Sequence, residues 1–148
     1  MKSDLDARRC YSIVRLQVGL PLGPNASIFG RPAMHITRLE KVEKIVPKME
    51  GARGVYKQIP LSKENGVPTF SFRVFTIELG GHTPLHQHPF EHMNYVIEGR
   101  GCLVAENQEH ELREGDFVLI LPGEIHQFKN TSKSQNLLII CAVPKEYE

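Results

Sequence analysis

From position 53 onward the chain alternates short apolar runs with turn residues, and this rhythm sets the fold class. The runs fall at 54–59, 70–79, 93–98, 102–105, 109–113, 117–121 and 136–143. They are rich in Val, Ile, Phe and Tyr, which suit a pleated, half-buried surface. Between them stand Gly80-Gly81, Gly99-Arg100-Gly101, Glu106-Asn107 and Glu114-Gly115-Asp116, and Pro144 closes the last run. Gly, Asn and Asp tolerate the backbone angles of tight turns. Many short strands at near-regular spacing close into a sandwich or barrel, so the chain is expected to be all-β. Only 39–46 carries a helical pattern, which Pro47 would end. Phe72 and Tyr95 are assigned to the core.

A chain of 148 residues is expected to form one domain. Residues 34–148 are assigned to it, with Met34 opening the regular stretch. Residues 1–33 contain loop-like segments such as Leu20-Pro21-Leu22-Gly23-Pro24-Asn25 and show no periodic pattern. They are expected to be a disordered or upstream read-through extension, with a strand over 13–18 as the competing reading. The formal net charge is +1 and the basic residues are scattered, so no nucleic-acid surface is expected. No apolar run reaches the length of a membrane span, and Arg15 and Gln17 interrupt any signal-peptide core. Cys10, Cys102 and Cys141 are odd in number and far apart, which points to a reducing, cytoplasmic setting.

Four of the seven histidines are arranged as metal ligands would be. His86, His88 and His92 lie within seven residues, and His126 follows in Pro122-Gly123-Glu124-Ile125-His126. Imidazole is the commonest side-chain ligand for divalent transition metals. On a strand, His86 and His88 would point to one face. The Pro89-Phe90 step can turn the chain so that His92 joins them, and a later strand can deliver His126. Glu91 is an alternative ligand to His92, or else a rim carboxylate that orients an imidazole. His35, His82 and His110 are assigned to surface or loop positions.

These residues resemble the cupin family, a small double-stranded β-helix or jelly-roll barrel. Gly80, His86, His88 and Gly99 fall at the spacing of the family's first motif, with His92 where that motif carries Glu. Gly115, Gly123, His126 and Asn130 fall at the spacing of the second, with Leu121 in its proline position and Pro122 beside it. The motifs span 80–130, and the strand pattern extends the likeness over about 53–144. His92 keeps the motif's distance to Gly99, which favours it over Glu91. The chain looks most like small single-domain cupins with four histidines, some of which hold manganese.

The resemblance implies one divalent transition metal held by His86, His88, His92 and His126, with manganese first and iron, zinc, nickel or copper as alternatives. Four neutral imidazoles leave the ion's charge uncompensated, which makes a strong Lewis acid for anionic or enolate oxygens. Strand parity places Arg73 on a face with Phe75, Ile77 and Leu79, where it could clamp a carboxylate. Cys141 is either a buried structural thiol or a thiol facing the cavity. These two residues are the candidates for a catalytic role beside the metal ligands, and Val96 and Phe128 are candidate apolar walls. The resemblance implies a metal-dependent dioxygenase that cleaves a C–C or C=C bond of a small oxygen-bearing substrate. The alternatives are a non-enzymatic small-molecule-binding cupin and an isomerase or lyase without oxygen chemistry. Exposed sheet edges imply a homodimer.

Overall fold

Alternation of apolar and polar residues builds eight strands in the computed structural model, which describes residues 34–148. They are β1 (Arg53–Leu61), β2 (Phe70–His82), β3 (His92–Glu98), β4 (Arg100–Ala105), β5 (Gln108–Arg113), β6 (Phe117–Ile120), β7 (His126–Asn130) and β8 (Leu137–Pro144). The expectations for 1–33, whether extension or strand, lie outside the described residues.

All pairings are antiparallel, in the order β5-β4-β7-β2-β8-β3-β6, with β1 added on β2. The sheet curls into a jelly-roll barrel, and one set of alternate side chains fills it. Ile77, Val96, Leu103, Leu112, Phe128, Leu137 and Ile139 are buried there. Removing each large aliphatic side chain from water contributes roughly 1.5–3 kcal/mol, so this inner face drives closure. The Glu106-Asn107 turn joins β4 to β5 as expected. Both residues have positive φ (50° and 61°), which matches the right-handed twist of a two-residue hairpin.

The structure corrects four expectations. The segment at 39–46 forms only a short 3₁₀ turn at Leu39–Lys41, and Val42 is already extended. Nε2 of the buried Gln58 donates to the carbonyls of Leu39 (2.7 Å) and Val42 (2.8 Å). Ile45 then bridges Lys57 as a strand would. Phe72 and Tyr95 lie on the outer face rather than in the core. On β3 the inward positions are His92, Asn94 and Val96, so Tyr95 points out and packs on Phe117, with ring centroids 4.6 Å apart. His86 and His88 are not on a strand but in the connection from β2 to β3. Finally, the apolar runs omit β7, the strand that the histidine spacing called for to deliver His126.

Two close approaches at β4 admit only glycine. Gly99 has φ +92°, and a Cβ there would lie 2.3 Å from the Asn136 carbonyl oxygen. A Cβ on Gly101 would lie 2.4 Å from the Lys129 carbonyl oxygen and 2.5 Å from Leu137 Cδ2. No helix among the described residues is long and apolar enough to cross a membrane. Gly101→Ala forces β4 away from β7, and the expected loss of stability is roughly 1–3 kcal/mol. A lower urea midpoint with unchanged slope would show it, and an unchanged midpoint would contradict this packing.

Candidate metal centre

The connection between β2 and β3 is laced to β7 by backbone hydrogen bonds. Thr83 N donates to Phe128 O (2.9 Å), and Phe128 N donates to Thr83 Oγ1 (2.9 Å). His86 and His126 then exchange a complete antiparallel pair, N to O at 3.1 and 2.8 Å. Gly123 N donates to His88 O (2.9 Å), which fixes the next residue pair as well. The histidines are therefore delivered by main-chain pairing, in an irregular loop that behaves locally as a strand.

One ring nitrogen from each of His86, His88 and His126 lies within 4.8 Å of the others. The opposite ring nitrogens are tethered. Nδ1 of His86 faces Pro84 O (3.0 Å), Nδ1 of His88 faces Phe90 O (2.5 Å), and Nδ1 of His126 faces Glu124 O (2.9 Å). A carbonyl can only accept, so each Nδ1 carries the proton and each Nε2 presents a bare lone pair. Nε2 of His88 and of His126 is buried without a hydrogen-bond partner. Buried nitrogens with no protein partner, oriented from behind by carbonyls, fit a divalent metal ion. The orienting acceptors are backbone carbonyls, so Glu91 does not serve as the carboxylate that fixes an imidazole.

His92 stands beside this trio, its ring centroid 3.9 Å from that of His88 and 5.6 Å from that of His126. Its Nε2 lies 3.1 Å from Arg73 Nη2. The guanidinium donates, so His92 also offers an unprotonated Nε2, aimed here at Arg73. Arg73 is buried (8% exposed) on the inner face of β2, and this resolves its position in favour of the cavity. Its Nη2 also donates to Cys141 Sγ (3.1 Å), and its Nη1 donates to the Tyr147 carbonyl (3.1 Å). Cys141 thus faces the cavity from β8. Burial pushes its thiol pKa up against the pull of Arg73, which keeps it protonated.

The site opens into a cavity of about 490 Å³. Phe75, Phe90, Phe128 and Ile139 form apolar walls, and Phe90 stacks flat on the His88 ring at 4.1 Å. Val96, expected as a wall, is instead sealed in the core. Residues 45–49 and Lys57 also line the cavity. Lys57 was missed, although it shares inward parity with Val55 on β1. His82 ends β2 outside the cavity, and His35 and His110 are exposed.

The match to the family model described as a cupin domain covers residues 73–143, which include all four histidines, Arg73 and Cys141. An uncharacterised protein of Aquifex aeolicus is 28% identical over 102 residues, 69% of this chain and 81% of its own. Among solved structures, the polyketide cyclase RemF from Streptomyces resistomycificus has a TM-score of 0.72 at 25% identity, covering 76% of this chain and 80% of its own. A cupin-2 domain protein from Rhodospirillum rubrum has a TM-score of 0.64 at 27% identity, covering 77% and 76% respectively. A predicted oxalate decarboxylase from Thermotoga maritima has a TM-score of 0.66 at 22% identity, a likeness of fold alone.

Burial disfavours the charged imidazole at His88, His92 and His126. It lowers the pKa of His88, brings that of His126 down to about 4, and, with the Arg73 charge adding, brings that of His92 down to about 2. Free histidine titrates near 6.5, so below that pH the unfolded chain binds protons that the folded chain refuses. Stability of the metal-free protein is therefore expected to be complete above about pH 6.5 and to fall steadily toward pH 4. Urea midpoints across this range would show the decline, and removing His126 by His126→Phe would flatten it. A midpoint constant from pH 7 to 4 would contradict buried neutral imidazoles.

Proposed function

The chain belongs to the cupin superfamily, and from that premise we propose that it is a metal-dependent enzyme of dioxygenase type acting on a small oxygen-bearing substrate. One observation carries the reading: carbonyl-tethered histidines turn bare Nε2 atoms toward one point in the wall of a largely apolar cavity. His86, His88 and His126 would hold one divalent ion, and His92, whose Nε2 faces Arg73, would be the fourth ligand. Manganese comes first on the four-histidine resemblance, with iron, zinc, nickel and copper as the other candidates. When bound, the ion supplies Lewis-acid chemistry and, for manganese or iron, redox chemistry to an oxygen-bearing substrate.

The chain's own residues define the rest. The phenylalanine walls exclude water and hold the substrate body. Arg73 meets the substrate's charged or polar end. Cys141, a neutral thiol bonded to Arg73 Nη2, acts through Arg73 as a positioning residue. Among the described residues no Asp or Glu lines the cavity, which supports chemistry driven by the ion rather than by a carboxylate base. The likeness to the polyketide cyclase RemF favours a second reading, ring closure or elimination without oxygen.

Apolar side chains stand out on the outer face at β3 and β6, where Phe117 is 82% exposed and Leu119 is 61% exposed beside Met93. We assign this strip to a second copy of the chain, since an exposed apolar edge invites pairing. Light scattering is expected to give a dimer at micromolar concentration, and a monomer there would contradict the assignment.

The functional test loads the protein separately with each of the five metals and follows oxygen uptake with enols, alkenes and diketones. The manganese or iron form is expected to consume oxygen as product appears, with His126→Ala losing both metal and turnover. Product formed equally well without oxygen would overturn the dioxygenase in favour of the second reading. Tight metal binding with no turnover of any compound would reduce the protein to a binding module.

A further inference from the structure

The charges around the cavity are all of one sign. Among the described residues, its charged lining side chains are Lys48, Lys57 and Arg73. Arg73 is more than nine-tenths buried, yet no carboxylate lies within ion-pair distance of it among the described residues. Its hydrogen bonds go to an imidazole, a thiol and a backbone carbonyl, all neutral, and its Nε is buried with no partner. Glu148 is held elsewhere, by Ser71 Oγ and by the backbone and ammonium of Lys63. Burial lowers the pKa of Lys57, the Arg73 charge lowers it further, and Glu148, outside the lining, opposes them as the smallest of the three influences.

A buried cation without a counter-ion is costly, and a fork of guanidinium donors matches a carboxylate. The apolar walls stand in the same cavity, and the Arg73 guanidinium already lies over the Phe75 ring at 5.2 Å. We propose that the cavity is a receptor for an organic monocarboxylate with an apolar body, its carboxylate held by Arg73 and Lys57 and its body against Phe75, Phe90 and Phe128. Arg73 then determines substrate class, selecting acids over their neutral counterparts. This deepens the functional reading above and rests on the same cavity being the substrate site. It does not rest on the metal, because the selecting charge belongs to the protein.

The test is calorimetric and needs no turnover. The probes are 3-phenylpropanoate and its neutral twin 3-phenylpropanamide, titrated into the full-length protein stripped by chelator and again after manganese loading. The metal-free protein is expected to bind the acid at least about tenfold more tightly than the amide, with Kd of about 1 mM or tighter. Arg73→Gln is expected to erase that preference and Lys57→Gln to reduce it about threefold. Lys57 is only half-buried, so Lys57→Gln decides the matter if Arg73→Gln fails to fold. Equal binding of acid and amide, no binding of the acid, or a preference untouched by Lys57→Gln and by a folded Arg73→Gln would each overturn the proposal. His126→Ala separates it from the functional reading, since it is expected to lose the metal and keep the acid preference. Metal binding without acid preference defeats the receptor alone. Acid preference in a protein that binds no metal defeats the metalloenzyme alone.

Discussion

The proposed metal centre depends on three hydrogen bonds from imidazole Nδ1–H groups to backbone carbonyls. They set the tautomer of His86, His88 and His126, and so decide that the nitrogens facing one another are acceptors rather than donors. Were the protons on Nε2, the same cluster would be a knot of competing donors. The carbonyls that accept are themselves fixed. Pro84 and Phe90 belong to the loop that pairs with β7, and Glu124 belongs to the turn whose carboxylate accepts from Leu121 N (2.7 Å). Fold and chemistry are therefore joined at the main chain. The barrel positions the carbonyls, and the carbonyls aim the lone pairs.

The second constraint is dielectric. An apolar cavity raises the cost of every charge and strengthens every interaction within it. Neutral imidazoles suit that environment, and burial keeps His88, His92 and His126 uncharged. Arg73 does not suit it, because it brings a buried guanidinium into that space with no carboxylate beside it among the described residues. Its bond to His92 Nε2 is a local accommodation that the ligand role of His92 would undo. If His92 served the ion, metal binding and release of guanidinium donors would be coupled through one nitrogen, and the proposed acid receptor would lie beside the metal centre.

Much of this was legible in the sequence, and the reasons differ by element. β2, β3 and β8 read clearly as apolar runs; parity put Arg73 on a face with Phe75 and Ile77 that the structure makes the interior, whereas Cys141 stayed open between a structural and a cavity-facing thiol. The same parity marks Lys57 beside Val55 and Asn94 beside His92, signals that were present and unused. β7 was illegible because His126–Asn130 is short and polar apart from Phe128; it is a strand only because β4 and β2 flank it. The pattern at 39–46 misled because helical spacing in so short a segment is weaker than the pull of Gln58 on its carbonyls. The histidine spacing marked residues that the fold does bring together as neighbours, but it placed two of them on a strand where the structure has a loop. The contact of Arg73 with His92 was beyond reach, since it depends on β8 lying between β2 and β3.

The most direct test of this account reads the imidazole protons themselves. Long-range ¹⁵N–¹H correlation spectra of the metal-free protein at neutral pH distinguish the two neutral tautomers of each histidine. The account predicts that His86, His88 and His126 are all protonated on Nδ1 and bare on Nε2, with His92 the same under its Arg73 bond. Spectra showing Nε2-protonated rings at His88 and His126 would contradict it, because those nitrogens would then have no lone pair to offer.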